Sequence, residues 1–216
     1  MLDVLAVQPA PGERHGPVTV RAGGTAVTAA LAASAAGAAA TVVGRIGRDP
    51  AAAAIRHALA DAGVAAALAV DDELPTGTYL ELGETVVASR GANARLSRAD
   101  LPALEVDAVL VSGYVLAHAD TRDTGEHALA LDVRWRAVTG VPLGGYEVPG
   151  AANVLFANEQ EIDHFDRAAF EIVVLTRGAE GAYVLRDGKS DFLPPTNVRG
   201  TGAGDALAGA FLTSLR

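Results

Sequence analysis

The sequence predicts an α/β protein with a doubly wound, mostly parallel sheet and a small β flap. Short runs of aliphatic residues recur along the chain, which is typical of strands that are buried on both faces of a parallel sheet. Ala-rich stretches with helix start and stop signals separate the first of these runs, as the crossovers of such a sheet require. One pair of runs, within residues 77–89, is joined only by Leu82 and Gly83 and predicts an antiparallel hairpin outside the main sheet.

The first half of the chain predicts an alternation of helices and strands. Residues 25–36 are rich in Ala, the best helix former, and Gly37 is a suitable helix terminator. The β-branched run over 40–44 predicts a strand. Residues 49–50, an Asp followed by a Pro, supply an N-cap and a first-turn proline, and the helix they begin should end before Gly63.

The second half predicts the strands of the main sheet and the turn between the last two. Gly178 and Gly181 mark that turn. A chain of 216 residues fits one domain, so we expect a single domain over 1–216 with the flap at about 75–91. The apolar runs that predict these strands are 108–111, 128–133, 154–156, 172–176 and 182–185.

Composition excludes several classes of function. The formal net charge is −9 and the 17 basic residues are scattered, which argues against nucleic acid because phosphate binding depends on clustered Lys and Arg. No apolar run reaches the ~20 residues of a membrane-spanning helix, and the first residues do not resemble a secretory signal. Cys is absent, which excludes disulfides and fits a reducing compartment. We therefore expect a cytoplasmic protein that binds neither nucleic acid nor membrane.

The strongest functional signal is the segment 200–205, Gly-Thr-Gly-Ala-Gly-Asp, directly before a helical stretch. Its glycines permit a tight turn and close approach of the backbone to a ligand. The helix would direct free N–H groups into that turn and create a site for phosphate or developing negative charge. Asp205 would then stand where a general base accepts a proton from a hydroxyl that attacks a phosphoryl group. The structural alternative is that Asp205 only caps the helix.

Taken with smaller motifs, this segment resembles the ribokinase-like (PfkB) family of carbohydrate kinases. Residues 202–211 are similar to the family's second signature and residues 23–49 to its first. The resemblance runs from about Asp3 to the last residue, and we expect the chain to be short at both ends relative to the family. The smaller motifs occur in the family's order, at 75–79, 91–93, 110–113, 158–161 and 176–181.

The resemblance implies a role for each matching position. Asp205 is implied to be the catalytic base, and the amides of Gly202, Ala203 and Gly204 the anion hole. Asn158 and Glu161 match a motif that organises Mg²⁺ through water, and residues three apart share one face of a helix. The implied substrate-binding residues are Asp3, Gly23, Gly24 and Thr28, the last in place of the family's usual Asn, and the implied nucleotide-binding residues are Thr176, Gly178, Gly181 and Thr201.

Two arginines indicate that the sugar is acidic. Arg90, Arg136 and Tyr79 match positions in 2-keto-3-deoxygluconate kinases, in which such arginines hold the substrate carboxylate, and the guanidinium fork suits a carboxylate. That subgroup has aromatic residues where this chain has Ala88 and Ser89. Ribose, fructose and nucleosides therefore stay open as alternatives.

These observations predict transfer of a phosphoryl group from ATP, with Mg²⁺ as cofactor, to a hydroxyl of a sugar or sugar acid. A non-catalytic sugar- or nucleotide-binding relic is the alternative, because Arg199 stands where the family has a cation-binding Asp. A guanidinium there could replace the charge of the cation. A dinucleotide-dependent oxidoreductase is a poor alternative, because this chain lacks the Gly-rich fingerprint that such enzymes have after the first strand. The resemblance also leaves open a homodimer formed through the flap.

Overall fold

The computed structural model of the chain describes residues 1–6, 15–83, 85–103, 105–140, 147–195 and 200–215. Within this part of the chain, the strands form a six-stranded main sheet, a separate four-stranded sheet and a parallel strand pair. Among the described residues, no helix is long and apolar enough to cross a membrane.

The main sheet is mostly parallel, as predicted. Its order is β12-β11-β10-β9-β8-β7. Its first four strands in chain order, β7 to β10, pair in parallel, and β11 and β12 add an antiparallel hairpin at one edge. The strands are β7 (Ala108–Ser112), β8 (Trp135–Thr139), β9 (Val154–Asn158), β10 (Ile172–Thr176), β11 (Ala182–Arg186) and β12 (Lys189–Leu193).

The strand predicted over 128–133 is wrong. Leu129 ends a helix instead, and the next strand begins only at Trp135. Leu129 is apolar because it is fully buried at the end of this helix. A short apolar run does not distinguish a buried helix end from a strand.

The four-stranded sheet, which we call the lid, contains the predicted hairpin. β5 and β6 are antiparallel, and β5 also pairs in parallel with the first strand of the chain. The lid is therefore larger than the predicted flap, because β1 and β2 extend it to the order β2-β1-β5-β6. Its strands are β1 (Leu2–Ala6), β2 (Val18–Ala22), β5 (Thr76–Leu82) and β6 (Thr85–Gly91).

The helices cover both faces of the main sheet, as a doubly wound fold requires. α5 covers one face, where its Ala208 and Phe211 pack with Trp135 and Phe156. Helices α3 and α4 cover the other face, through a cluster that contains Leu129. The helices are α1 (Thr25–Ala35), α2 (Pro50–Asp61), α3 (Gly113–Ala117), α4 (Ala119–Leu129) and α5 (Ala203–Ser214), with short 3₁₀ helices at Ala92–Arg95, Arg98–Asp100, Ile162–His164, Arg167–Ala169 and Gly178–Glu180.

The strand pair β3 (Thr41–Ile46) and β4 (Ala65–Val70) is parallel and is joined by α2. Asp49 caps that helix as predicted, since its Oδ1 accepts a hydrogen bond of 2.9 Å from the N–H of Ala52. The predicted helices and the predicted strand of this half are confirmed to within two residues at each end.

Candidate functional site

The carboxyl ends of the parallel strands and the beginning of α5 define the candidate site, because in such sheets ligands bind at that edge. Asn158 ends β9 and lies directly beside Thr176, which ends β10. Gly140 follows β8, and a Cβ atom at Gly140 would lie 3.3 Å from Thr25 Oγ1 and 3.5 Å from a ring carbon of Tyr114. Strand ends, the beginning of α1 and the beginning of α3 therefore meet at one place.

The loop before α5 has the tight turn that its glycines predict. Gly202 has a φ of 85°, in the left-handed region, and is the N-cap of α5. A Cβ atom there would lie 3.2 Å from Thr28 Cγ2, so the loop contacts α1. The N–H of Ala203 donates to the carbonyl of Gly200 at 3.1 Å, and the carbonyl of Gly202 accepts the first helical bond from Ala206 at 2.9 Å.

Asp205 lies in the first turn of α5 and is partly buried. Burial raises the pKa of Asp205 to about 6, and the negative charges of Glu161 and Asp3 act in the same direction. A carboxyl group with such a pKa is largely ionised at neutral pH, yet it still binds a proton far more readily than an exposed aspartate. The turn thus carries a base of useful strength.

Asn158 and Glu161 hold each other in a turn. Glu161 Oε2 accepts a hydrogen bond of 2.9 Å from the N–H of Asn158, and Asn158 Oδ1 accepts bonds of 2.9 Å from the N–H groups of Gln160 and Glu161. The prediction that Asn158 and Glu161 share one face of a helix is therefore wrong, because the next helix begins only at Ile162. Within the described part of the chain, no group of three or more His, Cys, Asp or Glu could hold a metal ion directly.

Asp3 reaches the site from the lid. It is 3% exposed, and burial raises its pKa while the charge of Arg21 opposes that rise. Arg21 Nε lies 3.6 Å from Asp3 Oδ2. A Cβ atom at Gly23 would come within 1.9 Å of that carboxylate, so the absence of a side chain at Gly23 is what allows Asp3 its place. Gly24 follows as the N-cap of α1.

Tyr79 and Glu81 face the loop before α5 from strand β5 of the lid. The hydroxyl of Thr201 donates to Glu81 Oε2, and the Tyr79 hydroxyl lies 3.4 Å from the same oxygen. Burial raises the pKa of Tyr79. The structure thus brings three of the predicted residues, Asp3, Thr28 and Tyr79, around the loop that carries Thr201 and Asp205.

Three residues of the site were not predicted. Arg21 lies opposite Asp3 in the lid sheet, and Glu81 is two residues from Tyr79, so both side chains lie on the same face of the lid as a predicted residue. The spacing of Glu81 could have been noticed in the sequence, whereas the pairing of Arg21 could not. The third is Tyr114, 48% exposed, whose pKa is raised by burial and by the charges of Glu161 and Asp205.

The two arginines predicted to bind a carboxylate do not meet at the site. Arg90 donates to Asp120 at 3.1 Å and to Thr121 Oγ1 at 2.8 Å, and so ties the lid to α4. Arg136 is the second residue of β8, three residues and therefore about 10 Å from the carboxyl end of that strand. Its N–H donates to Asn153 Oδ1 at 2.8 Å. The expected arrangement, with one arginine on each side of a substrate, therefore has no support from these contacts and stays a prediction.

Three of the four predicted nucleotide-binding residues lie at the turn between β10 and β11. Thr176 ends β10, and its hydroxyl lies 3.4 Å from the carbonyl of Ala157. Gly178 begins the short 3₁₀ helix that follows, and Gly181 is its C-cap. This turn is at the same edge as Asn158. Arg199, the predicted replacement for a cation, lies outside the described residues.

The fold and the site together define a class of protein, the small-molecule kinases with an α/β domain and a β-sheet lid. Residues 2–216 match the pfkB family carbohydrate kinases, and the chain belongs to this family. It is therefore a carbohydrate kinase, a phosphotransferase that uses ATP and an alcohol group as acceptor. No curated protein matches the chain.

Solved structures share this fold at low sequence identity. A fructokinase from Vibrio cholerae O395, in a form with bound fructose, ADP and calcium ion, is 23% identical with a TM-score of 0.80, and the match covers 99% of this chain and 81% of that one. An adenosine kinase from Sinorhizobium meliloti is 19% identical with a TM-score of 0.79, covering 100% and 86%. An aminoimidazole riboside kinase from Salmonella enterica is 19% identical with a TM-score of 0.78, covering 99% and 81%.

Proposed function

We propose that the protein transfers the terminal phosphoryl group of Mg-ATP to a hydroxyl of a sugar, with Asp205 as the general base. The observation that carries this proposal is the place and the acidity of Asp205. It begins α5 directly after a glycine turn, and burial and neighbouring carboxylates raise its pKa to about 6. Such a pKa, close to the working pH, suits general-base catalysis.

The turn before Asp205 would supply the anion hole. The N–H groups of Gly202, Ala203 and Gly204 lie at the amino end of α5, where backbone amides and the helix dipole favour negative charge. The N–H of Ala203 also donates to the carbonyl of Gly200 at 3.1 Å, a contact that holds the turn in shape, and an oxyanion would be a second acceptor for that N–H. Stabilisation of this kind is directed at the charge that develops during transfer.

The ATP phosphates and Mg²⁺ would lie between this turn and the ends of β9 and β10. Asn158 and Glu161 offer amide and carboxylate oxygens, the donors that Mg²⁺ prefers, and Mg²⁺ usually retains several waters. After burial, the charges of Glu161 and Asp3 also raise the pKa of Asp205, and this concentration of negative charge fits a nearby cation. Mg²⁺ would neutralise phosphate charge there, and the nucleotide would contact Thr176, Gly178, Gly181 and Thr201.

The sugar would bind between the lid and α1. Asp3 could accept hydrogen bonds from sugar hydroxyls, with Thr28 and Tyr79 as further polar contacts and with Gly23 and Gly24 leaving room for close approach. Arg90 already pairs with Asp120 and Arg136 lies toward the other end of its strand. A neutral sugar or nucleoside is therefore the first substrate class to test, and a sugar acid the second.

Turnover on a substrate panel tests the proposal. We expect ATP consumption with at least one of ribose, fructose, nucleosides or 2-keto-3-deoxygluconate, and a loss of ~10²–10⁴-fold in turnover for Asp205→Asn. Because the base must be deprotonated, kcat/KM should rise with pH through about 6. Binding of sugar and nucleotide without ATP consumption would instead identify a non-catalytic relic. Near-full activity of Asp205→Asn would reject the assigned role.

We further propose that the lid mediates a homodimer through its outer face. The register of β1, β2, β5 and β6 places Val4, Val20, Leu80 and Val87 on the face opposite Asp3, and Val20 and Val87 are about 60% exposed. The described strands of the lid have no charged residue on that face. A second copy of the same face is the partner that fits, because a net charge of −9 opposes self-association through any charged surface.

Light scattering on the intact protein tests this contact. We expect a dimer mass for the wild type and a monomer for Val20→Glu combined with Val87→Glu. Val70→Glu, which changes an exposed valine outside the lid, is the control and should leave the mass unchanged. A monomeric wild type at high concentration would reject the proposal.

A further inference from the structure

The inner face of the lid carries polar residues that the proposed chemistry does not use. Asp3, Arg21, Tyr79 and Glu81 lie on this face by register, because Asp3 is opposite Arg21 on one side and Tyr79 on the other. Asp3 and Tyr79 have a place in substrate binding. Arg21 and Glu81 have none, yet both contact the loop before Asp205.

Arg21 bonds to the backbone of that loop. Its Nη2 donates to the carbonyl oxygen of Thr201 at 2.5 Å, while its Nε lies 3.6 Å from the carboxylate of Asp3. One guanidinium thus joins a buried acid of the lid to a main-chain oxygen of the loop. A planar group with several donors in a fixed geometry suits such a double contact.

Glu81 bonds to the side chain of the same loop residue. Its Oε2 accepts the hydrogen of the Thr201 hydroxyl. Thr201 is therefore held from strand β2 at its carbonyl and from strand β5 at its hydroxyl. These two contacts link residues that are 180 and 120 positions apart in the chain.

The loop needs such external contacts because its own backbone is permissive. Thr201 stands between Gly200 and Gly202, which have φ values of 84° and 85°. Glycine restricts φ and ψ less than any other residue. Contacts that hold Thr201 in one conformation therefore also fix the turn that follows. That turn contains the proposed anion hole and ends at Asp205.

We propose that Arg21 and Glu81 are positioning residues that latch the lid onto the loop, so that the anion hole and Asp205 are set for phosphoryl transfer only while the lid lies against them. This inference rests on the proposed function for its catalytic consequence. The latch itself is a physical contact that can be tested without catalysis.

Amide hydrogen exchange on the full chain without added substrate tests the latch. The reporters are the amides of residues 201–204, above all that of Ala203, which is hydrogen bonded to Gly200. We expect Arg21→Gln to speed their exchange by about five- to tenfold, the effect of losing one charge-assisted hydrogen bond that is partly exposed. Glu81→Gln should act in the same direction, by less.

Arg48→Gln is the matched control. Arg48 also forms an ion pair, with Asp72, but it is 71% exposed, and Asp72 is far from the loop in sequence. Its loss should leave exchange at 201–204 unchanged. Equal exchange in wild type, Arg21→Gln and Glu81→Gln would overturn the latch whatever the substrate of the enzyme proves to be.

Kinetics test the catalytic consequence. Arg21→Gln should lower kcat by about five- to tenfold, with little change in KM for ATP. The reason is that an equilibrium shift of that size would leave the loop in the ordered conformation only part of the time. Arg21→Lys should recover part of the loss, and the double change Arg21→Gln with Glu81→Gln should cost less than the product of the single losses because both act through Thr201. Faster exchange with unchanged kcat would reject the positioning role, and a wild type without turnover would reject the proposed function while leaving the exchange result to decide the latch.

Discussion

The main sheet and the lid distribute their side chains in opposite ways. In β9 every residue from Val154 to Ala157 is buried, and Leu155 and Phe156 belong to clusters on opposite faces of the sheet. In the lid, the residues of β2 and β6 are mostly exposed, and polar and aliphatic residues alternate between its two faces. The main sheet is thus organised for stability, and the lid for contacts with something other than the core.

Because of this difference, we expect mutations in the main sheet and in the lid to change the free energy of unfolding by different amounts. Removing a buried side chain from β9 costs both its transfer free energy and the cavity it leaves. Removing an exposed side chain from β2 or β6 of the lid costs little stability, because water replaces the lost contacts. The lid can therefore change its contacts with substrate or partner without endangering the fold.

The largest expected effect tests this separation directly. Phe156→Ala should lower the free energy of unfolding by about 3–5 kcal/mol, since Phe156 is 2% exposed and its ring meets Phe211 edge-on at 5.7 Å. Val86→Ala, at a half-exposed position of the lid, should change it by less than about 0.5 kcal/mol. Urea unfolding measures both. Losses of similar size would show that the lid and the core share their stability.

Tyr114 provides the next effect, on the core side of the cleft. An exposed aromatic ring beside Asp205 and Gly140 can pack on the apolar face of a sugar or nucleoside. Tyr114→Ala should therefore lower kcat/KM for the preferred substrate about tenfold, as loss of one aromatic contact predicts. Phe192→Ala removes the exposed ring of β12, which packs against Gly181 of the proposed nucleotide-binding turn. It should leave KM for the sugar unchanged, whatever it does to KM for ATP.

The sequence predicted the core strand β9 and the glycine turn before Asp205 because their signals are local. The aliphatic run of β9 and the glycine turn before Asp205 each lie within a few adjacent residues. Pairing between distant strands has no such signal, so β1 and β2 were not predicted to extend the lid, and Arg21 was missed. The distance of Arg136 from the site could not be predicted for a related reason, since it depends on where β8 begins.

A smaller effect concerns the stability cost of the proposed base. The pKa of Asp205 is raised above its ordinary value to about 6, so its contribution to stability is fully present below about pH 4 and is lost as the pH rises through 6. Asp205→Asn should therefore raise the free energy of unfolding by about 1 kcal/mol at pH 7, after allowance for partial exposure. This corresponds to about 2–4 °C in Tm. The gain should disappear near pH 4, and a destabilised variant at pH 7 would contradict the assignment.

The smallest effect compares two hydroxyl groups that meet the same oxygen of Glu81. Tyr79 lies 3.4 Å from that oxygen, at the limit of a hydrogen bond, whereas Thr201 makes a closer contact with it. Tyr79→Phe should therefore lower kcat by about twofold or less, because the ring stays in place and only a weak bond is lost. Thr201→Val should lower kcat more, since it removes the hydroxyl with which the loop contacts Glu81 of the lid. If Tyr79→Phe proved the more damaging of the two, the phenol would bind substrate directly, and the inner face of the lid would serve recognition more than it orders the loop.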